Sequence, residues 1–291
     1  MGTNLRAARL TTGFFLLLGL GGCGTHVPDL RDWPNNNNVG AVTMVHAIVR
    51  SVECELKNAV TDVVRHDVSA ARLRASHRAY TDFLNDWGAE VAFTFTIIEK
   101  SAVNPTGVWM PPSPASAVFT LAGDATASAQ ATRIEKLNFF YTVKDLYLRD
   151  GEVCDASGED PSGSFLIKNN LKIGELLDLR VAPAATGIAT TPNSENTSSG
   201  DKNVLSHEIT FEVVTSGDLT PTWVLTRATI NATGNFLSAS RDRTHDLVIT
   251  FGPLDKAHGG KSLIAIAEQS HFDLQLATGI STNLKPVILP R

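Results

Sequence analysis

The residues that could do chemistry are scattered along the chain. Histidines stand at His26, His46, His66, His77, His207, His245, His258 and His271. None falls in H-E-x-x-H or in a close pair of the kind that grips zinc. His207-Glu208 and His245-Asp246 are sequence neighbours, but adjacent side chains of a strand point to opposite faces, so neither pair is expected to cooperate. Ser199-Gly200-Asp201-Lys202 has the S-x-x-K spacing of a serine acyl-enzyme, which needs the serine to open a helix so that the lysine faces it one turn on. Here both residues lie in a Ser-, Gly- and Asn-rich stretch, and neither S-D-N nor K-T-G accompanies them. Gly260-Lys261-Ser262 has the ending of a phosphate-binding loop, yet Asp255 stands where the first glycine is required and its carboxylate would repel phosphate. Asp150, Glu152, Asp155, Glu159 and Asp160 surround Cys154 without the ligand spacing of a calcium loop, and read as a solvated acidic loop. No catalytic, cofactor-binding or metal-ligating set emerges, no cofactor or nucleotide is expected, and a non-enzymatic role is favoured over an enzymatic one.

The strongest local pattern is at the start. Arg6 and Arg9 precede an apolar core from Gly13 to Gly22, with Cys23 directly after it. This is the layout of a secretory signal, and the core is too short for the ~20 apolar residues of a membrane-spanning helix. Leu20-Gly21-Gly22-Cys23 resembles the lipobox of bacterial lipoproteins: an aliphatic residue, two small residues, then cysteine. Gly21 departs from the more usual Ala or Ser. The resemblance implies removal of residues 1–22, acylation of Cys23 and attachment of the body to a membrane, with Gly24 favouring the outer membrane over the inner by the proteobacterial sorting rule. Two or more acyl chains make such an anchor stable.

About 270 residues then remain, enough for one large domain. With 43% hydrophobic residues the chain can build a normal core, and a net charge of −5 argues against a nucleic-acid partner. Cys54 and Cys154 are left after lipidation, and two thiols in an oxidising envelope read as one disulfide. Over residues 40–64, Val42, Val45, Val49, Val52, Leu56, Ala59 and Val63 recur at helical spacing, which places Cys54 nearly opposite the apolar stripe.

Residues 23–39, with Pro28, Pro34 and Asn35 to Asn38, read as a flexible tether. The body over 40–291 is expected to be α+β: a helical hairpin over 40–87 packed on an antiparallel sheet or sandwich over 88–291. The second helix is expected from Ser69 to Trp87, capped by Ser69 and ended by Gly88. Strands are expected at 91–97, 117–121, 134–143, 204–214, 222–230 and 244–251, with turns at Gly217-Asp218 and Gly234-Asn235. A short helix is expected over 170–181 and a long loop over 183–203; residues 261–277 fit either a helix or a strand. Ala131-Thr132-Arg133 and Ala239-Ser240-Arg241 each lead into an alternating run: Phe139, Tyr141 and Val143 in one, Leu247, Ile249 and Phe251 in the other. Two related strand modules would account for it. Trp109, in Val108-Trp109-Met110-Pro111-Pro112, is either an exposed contact or a plug over the sheet.

Glu53-Cys54-Glu55-Leu56, the stretch from Thr132-Arg133 to Leu146 and that from Leu219-Thr220-Pro221 to Pro253 are similar to envelope lipoproteins of soil proteobacteria, a resemblance that implies a place in the envelope and no particular activity. The expected function is a structural, assembly or binding role at the membrane through lipidated Cys23, with an envelope protein as a further partner. A hydrolase whose site forms only in the fold and a small-ligand carrier are the alternatives.

Overall fold

A computed structural model describes residues 25–30, 39–74, 79–114, 116–148, 154, 164–185, 188, 204–231 and 233–283. Residues 1–22, Cys23, the acidic residues around Cys154, and most of the 183–203 loop, including the S-x-x-K stretch, lie outside them. The fold is α+β with antiparallel strands, as expected.

Helix α1 runs from Val39 to Ala71. Its buried stripe is Met44, Ile48, Val52, Leu56, Val60 and Val63, while Val42 is 68% exposed. The stripe therefore agrees with expectation from Val52 onward and is rotated before it. The second long helix expected from Ser69 is not formed. The Ser69 hydroxyl donates back to the carbonyl of Arg65 inside α1 instead of capping a new helix. The chain then turns around Asp67, whose carboxylate accepts from the Tyr80 and Thr81 backbone N–H groups at 2.6 and 2.8 Å, from the Thr81 hydroxyl and from Arg74. One 3-10 segment, Asp82–Asp86, leads into the first strand. Gly88, expected as a helix terminator, lies inside that strand, where a Cβ would come within 2.9 Å of Phe140 and Leu254 side chains.

The strands are β1 (Trp87–Val103), β2 (Thr106–Trp109), β3 (Leu121–Asp124), β4 (Ala127–Thr142), β5 (Leu205–Leu219), β6 (Trp223–Leu225), β7 (Ala228–Ile230) and β8 (Leu237–Pro253). Four long strands form one sheet in the order β4-β1-β8-β5, and four short ones a second in the order β3-β2-β7-β6. Several expected details change. The 117–121 strand is β3, starting only at Leu121; the 222–230 strand is two strands with a turn between; and Gly217-Asp218 sits within β5 rather than at a turn. Val143 opens helix α2 (Val143–Leu148), so Phe139, Tyr141 and Val143 do not share one strand face. Leu247, Ile249 and Phe251 do, all fully buried, so the expected module equivalence does not hold.

The two sheets are stacked end to end. Val103 faces Ala127, the Ala125 N–H donates to the Pro105 carbonyl at 3.1 Å, and Thr106 faces Asp124. One hairpin thus runs unbroken from the base of β1/β4 to the tip of β2/β3. The second hairpin, β5-β6/β7-β8, is interrupted after β7 by a bend at Asn231, which has a left-handed φ of 55°. Asparagine tolerates that conformation, and here every polar group is used. Its N–H donates to the Thr106 carbonyl at 2.7 Å, its side chain accepts the Thr106 N–H and donates to Pro221, and its carbonyl accepts from Thr222.

Only the base of the long sheet is covered by described residues. On one face Trp87, Ala89, Val91, Phe93, Phe95 and Ile97 of β1 join β8 and α1 in a single core, sealed at the side by helices α3 (Phe165–Lys168) and α4 (Ile173–Ala185). On the other face lies helix α5 (Ala265–Asn283), which settles the segment whose pattern fits either helix or strand. Its Ala267 fits against Gly252, where a Cβ would come within 2.8 Å, and its His271 Nδ1 sits 2.9 Å from the Thr250 hydroxyl.

Candidate functional site

Among the described residues nothing at the base resembles a reaction centre. Ser164 Oγ and His245 Nδ1 are 3.1 Å apart, but both residues are buried in the core with Phe95 edge-on to the imidazole, and the same hydroxyl caps α3. Asp246, the neighbour that a catalytic triad would require, is on the opposite face and accepts from Thr210 at 2.6 Å. This is a core hydrogen bond between groups shut away from solvent. His271 is also buried, which lowers its pKa to about 4 and keeps it neutral; burial and the nearby Glu268 raise that of Glu90 on the same face. His207 Nε2 donates to the Leu171 carbonyl at 2.8 Å, and His258 pairs with Asp255 in the glycine loop that carries Lys261. Among the described residues no three His, Cys, Asp or Glu side chains are grouped to hold a metal ion.

The distinctive surface is the distal half of the sheet, which no described helix covers. Its lower limit is a polar belt on the α1 face. Arg241 on β8 pairs with Glu99 directly across the ladder on β1 and also donates to the carbonyl of Asp29. Arg133 on β4 pairs with Glu135 at 2.9 Å and donates to the carbonyl of Pro28. The segment 25–30, expected to be part of a free tether, is thereby fastened to the sheet, and Leu30 enters the core.

Beyond the belt the strands alternate. On β4 the run Ala127-Ser128-Ala129-Gln130-Ala131-Thr132 puts alanines on the belt face and polar residues on the other. Leu237-Ser238-Ala239-Ser240 on β8 does the same, and Val103 and Leu219 continue the apolar side. At the tip, cross-strand register places Trp109, Leu121, Ala228, Leu225, Ile230 and Trp223 on one face. Five of these are large and exposed, from 42% for Ile230 to 59% for Leu225. Trp109 is 51% exposed, so it is not a plug over the sheet. The opposite face of the distal half bears Lys100, Asp124 and Asp218 among serines, threonines and Val224, while Asp242, Val214 and Glu212 lie on that face below the level of the belt.

β4 and β5 are the two edges of the long sheet, and β3 and β6 those of the short one. Cys54 of α1 and Cys154 lie at disulfide distance with Cα atoms 5.3 Å apart, as their sequence context suggests. Sequence reasoning misses the belt and the distal face, although the Ala-x-Ala-x-Ala run of β4 is a visible period-2 signal.

No protein-family model matches this chain, and no curated protein matches it. Solved structures similar to it include the Salmonella SPI-1 type III secretion injectisome secretin InvG in the open gate state. There the identity is 10% and the TM-score 0.16 over 66% of each chain, so this chain spans just under two thirds of that one. A second structure of the same secretin gives 12% identity, a TM-score of 0.14 and 66% and 70% coverage. Similarity at this level carries no functional argument. No described helix is long and apolar enough to cross a membrane, which leaves strands untouched.

Proposed function

We propose that the protein is a lipid-anchored envelope protein with a non-enzymatic role, and that its distal sheet works within the membrane to which Cys23 is attached. The single observation that carries this reading is the one-sided apolar face ending in Trp109 and Trp223, held beyond a charged belt. From Lys100 to Trp109 the strand runs ten residues. At ~3.4 Å per residue and a tilt of ~40° this covers ~25 Å, the height of the apolar band of an outer-membrane strand. Exposed contiguous apolar surface of this kind marks an interaction site, and tryptophans are favoured at membrane–water boundaries. The fastening of residues 25–30 at the belt supports the same reading, because an anchor at Cys23 would be only two residues in sequence from a segment held at the level where the charged side chains stop.

Vesicle flotation of the Cys23→Ser protein, which lacks the anchor, tests the distal face by itself. The expected result is flotation of this protein with phospholipid vesicles and its loss in a variant carrying Trp109→Ser, Leu121→Ser, Trp223→Ser and Leu225→Ser. Equal behaviour of the two proteins would contradict the reading.

A further inference from the structure

We infer that copies of this chain pair edge to edge, β4 of one with β5 of the next, and close a ring whose distal strands form a transmembrane β-barrel. The inference rests on the membrane reading above and supplies what that reading lacks. In hydrocarbon every backbone N–H and C=O must be paired, so a sheet enters a membrane only when it has no open edge. This sheet has two. Four strands are too few to close on themselves, since single-chain barrels begin at about eight. The missing partners must come from another chain.

Strand direction identifies that chain. Every neighbouring pair in the order β4-β1-β8-β5 is antiparallel, so β4 and β5 run in opposite directions. Placing β4 beside β5 of a second copy continues the all-antiparallel pattern without a break. Because the two joined surfaces differ, the contact is head-to-tail and generates a ring when its rotation closes. The total is four strands per copy, always even, as in bacterial outer-membrane barrels.

The edges are also unprotected where pairing is needed. Soluble proteins guard edge strands with lysine, proline or a bulge. Residues 127–132 of β4 contain no charge and no proline, residues 213–219 of β5 hold one acid, and the bend at Asn231 lies between the inner strands β7 and β8. Pairing would turn the apolar face outward to lipid and enclose the face with Lys100, Asp124 and Asp218. Two acids to one lysine predict a cation-preferring lumen. Helix α5 lies on that enclosed side at the base. An eight-stranded barrel has room only for side chains, so closure takes more than two copies.

The test uses the full lipidated chain in vesicles. Gln130→Cys on β4 is combined in turn with Glu212→Cys, Val214→Cys, Ser216→Cys and Asp218→Cys on β5, all exposed and all on the enclosed face. A water-soluble bismaleimide should convert at least one combination into a ladder of multimers, while each single-cysteine protein stops at dimers. Planar-bilayer recording of the unsubstituted protein should show conductance with a reversal potential on the cation side. Monomers from all four combinations, in protein that still floats with vesicles, would overturn the ring and leave the membrane reading standing. Protein that no longer floats without its lipid would overturn both.

Discussion

Glu99 and Arg241 face each other across the β1–β8 ladder and form an ion pair at the level where the covered base gives way to the open distal sheet. Arg241 also holds the Asp29 carbonyl, so the pair ties the sheet to the segment just beyond Cys23. Both side chains are about three-quarters buried. Arg241→Ala should release residues 25–30 and cost ~1–2 kcal/mol. Faster proteolysis or amide exchange in that segment, with β1 and β8 still protected, is the expected reading. Unchanged protection of 25–30 would show that the belt does not hold it.

Asp67 sets the course of the chain beyond α1. Its carboxylate is 3% exposed and serves four donors. Burial by itself would raise its pKa, but the bonds from Thr81, Arg74 and Tyr80 outweigh it and lower the value. Asp67→Ala strands one buried and one part-buried N–H donor and should cost ~2–4 kcal/mol in urea unfolding. Because the folded pKa is below the unfolded one, this contribution is present above about pH 4 and is lost as pH falls through the folded value.

His271 gives the opposite chemistry in a nearby pH window. It is neutral in the fold, with a pKa of about 4, and regains an ordinary value near 6.5 on unfolding. The unfolded chain therefore binds more protons between these values, and stability falls as pH drops from 6.5 toward 4. The full shift corresponds to at most ~3 kcal/mol, partly offset by Glu90, whose raised pKa favours proton binding in the folded chain. His271→Gln should flatten the pH dependence of unfolding over this window. An unchanged slope would place the titration elsewhere.

Cys54 and Cys154 close a loop with a sequence separation of 100. Non-reducing peptide mapping of exported protein should show them linked. The chain-entropy model gives ~4.7 kcal/mol as an upper figure for what Cys154→Ser removes. Free thiols at both positions in oxidised, exported protein would contradict the pairing.

Much of this architecture is legible in the residues themselves. The apolar spacing from Val52 to Val63 marks α1, and Val91 to Ile97 and Thr244 to Phe251 mark the centres of β1 and β8. Sequence misplaces the second helix because Leu73, Tyr80, Phe83 and Trp87 fit a helical period, whereas the deciding group is a single carboxylate, Asp67, with partners 13 and 14 residues away. The distal strands read too short for a different reason. Alanine, serine and glycine carry little hydrophobic signal, so Ala127 to Thr132 and Thr215 to Leu219 read as loop until the register joins them to β1 and β8. The belt is invisible in sequence because Glu99, Arg133 and Arg241 meet only across strands.

The depth of Trp109 and Trp223 in the bilayer tests the central claim most directly. Both sit on the apolar tip face, ten residues beyond the belt in the case of Trp109. In the full chain Trp33 and Trp87 are changed to phenylalanine, leaving the two tip residues as the only tryptophans. Fluorescence of the lipidated protein is then recorded in vesicles whose lipids carry bromine at successive depths along the acyl chain. Tip tryptophans seated at the far membrane boundary should be quenched by acyl-chain bromines, most strongly at the shallow positions, and should be protected from aqueous acrylamide. Quenching by acrylamide alone, with no effect of any brominated lipid, would contradict that placement.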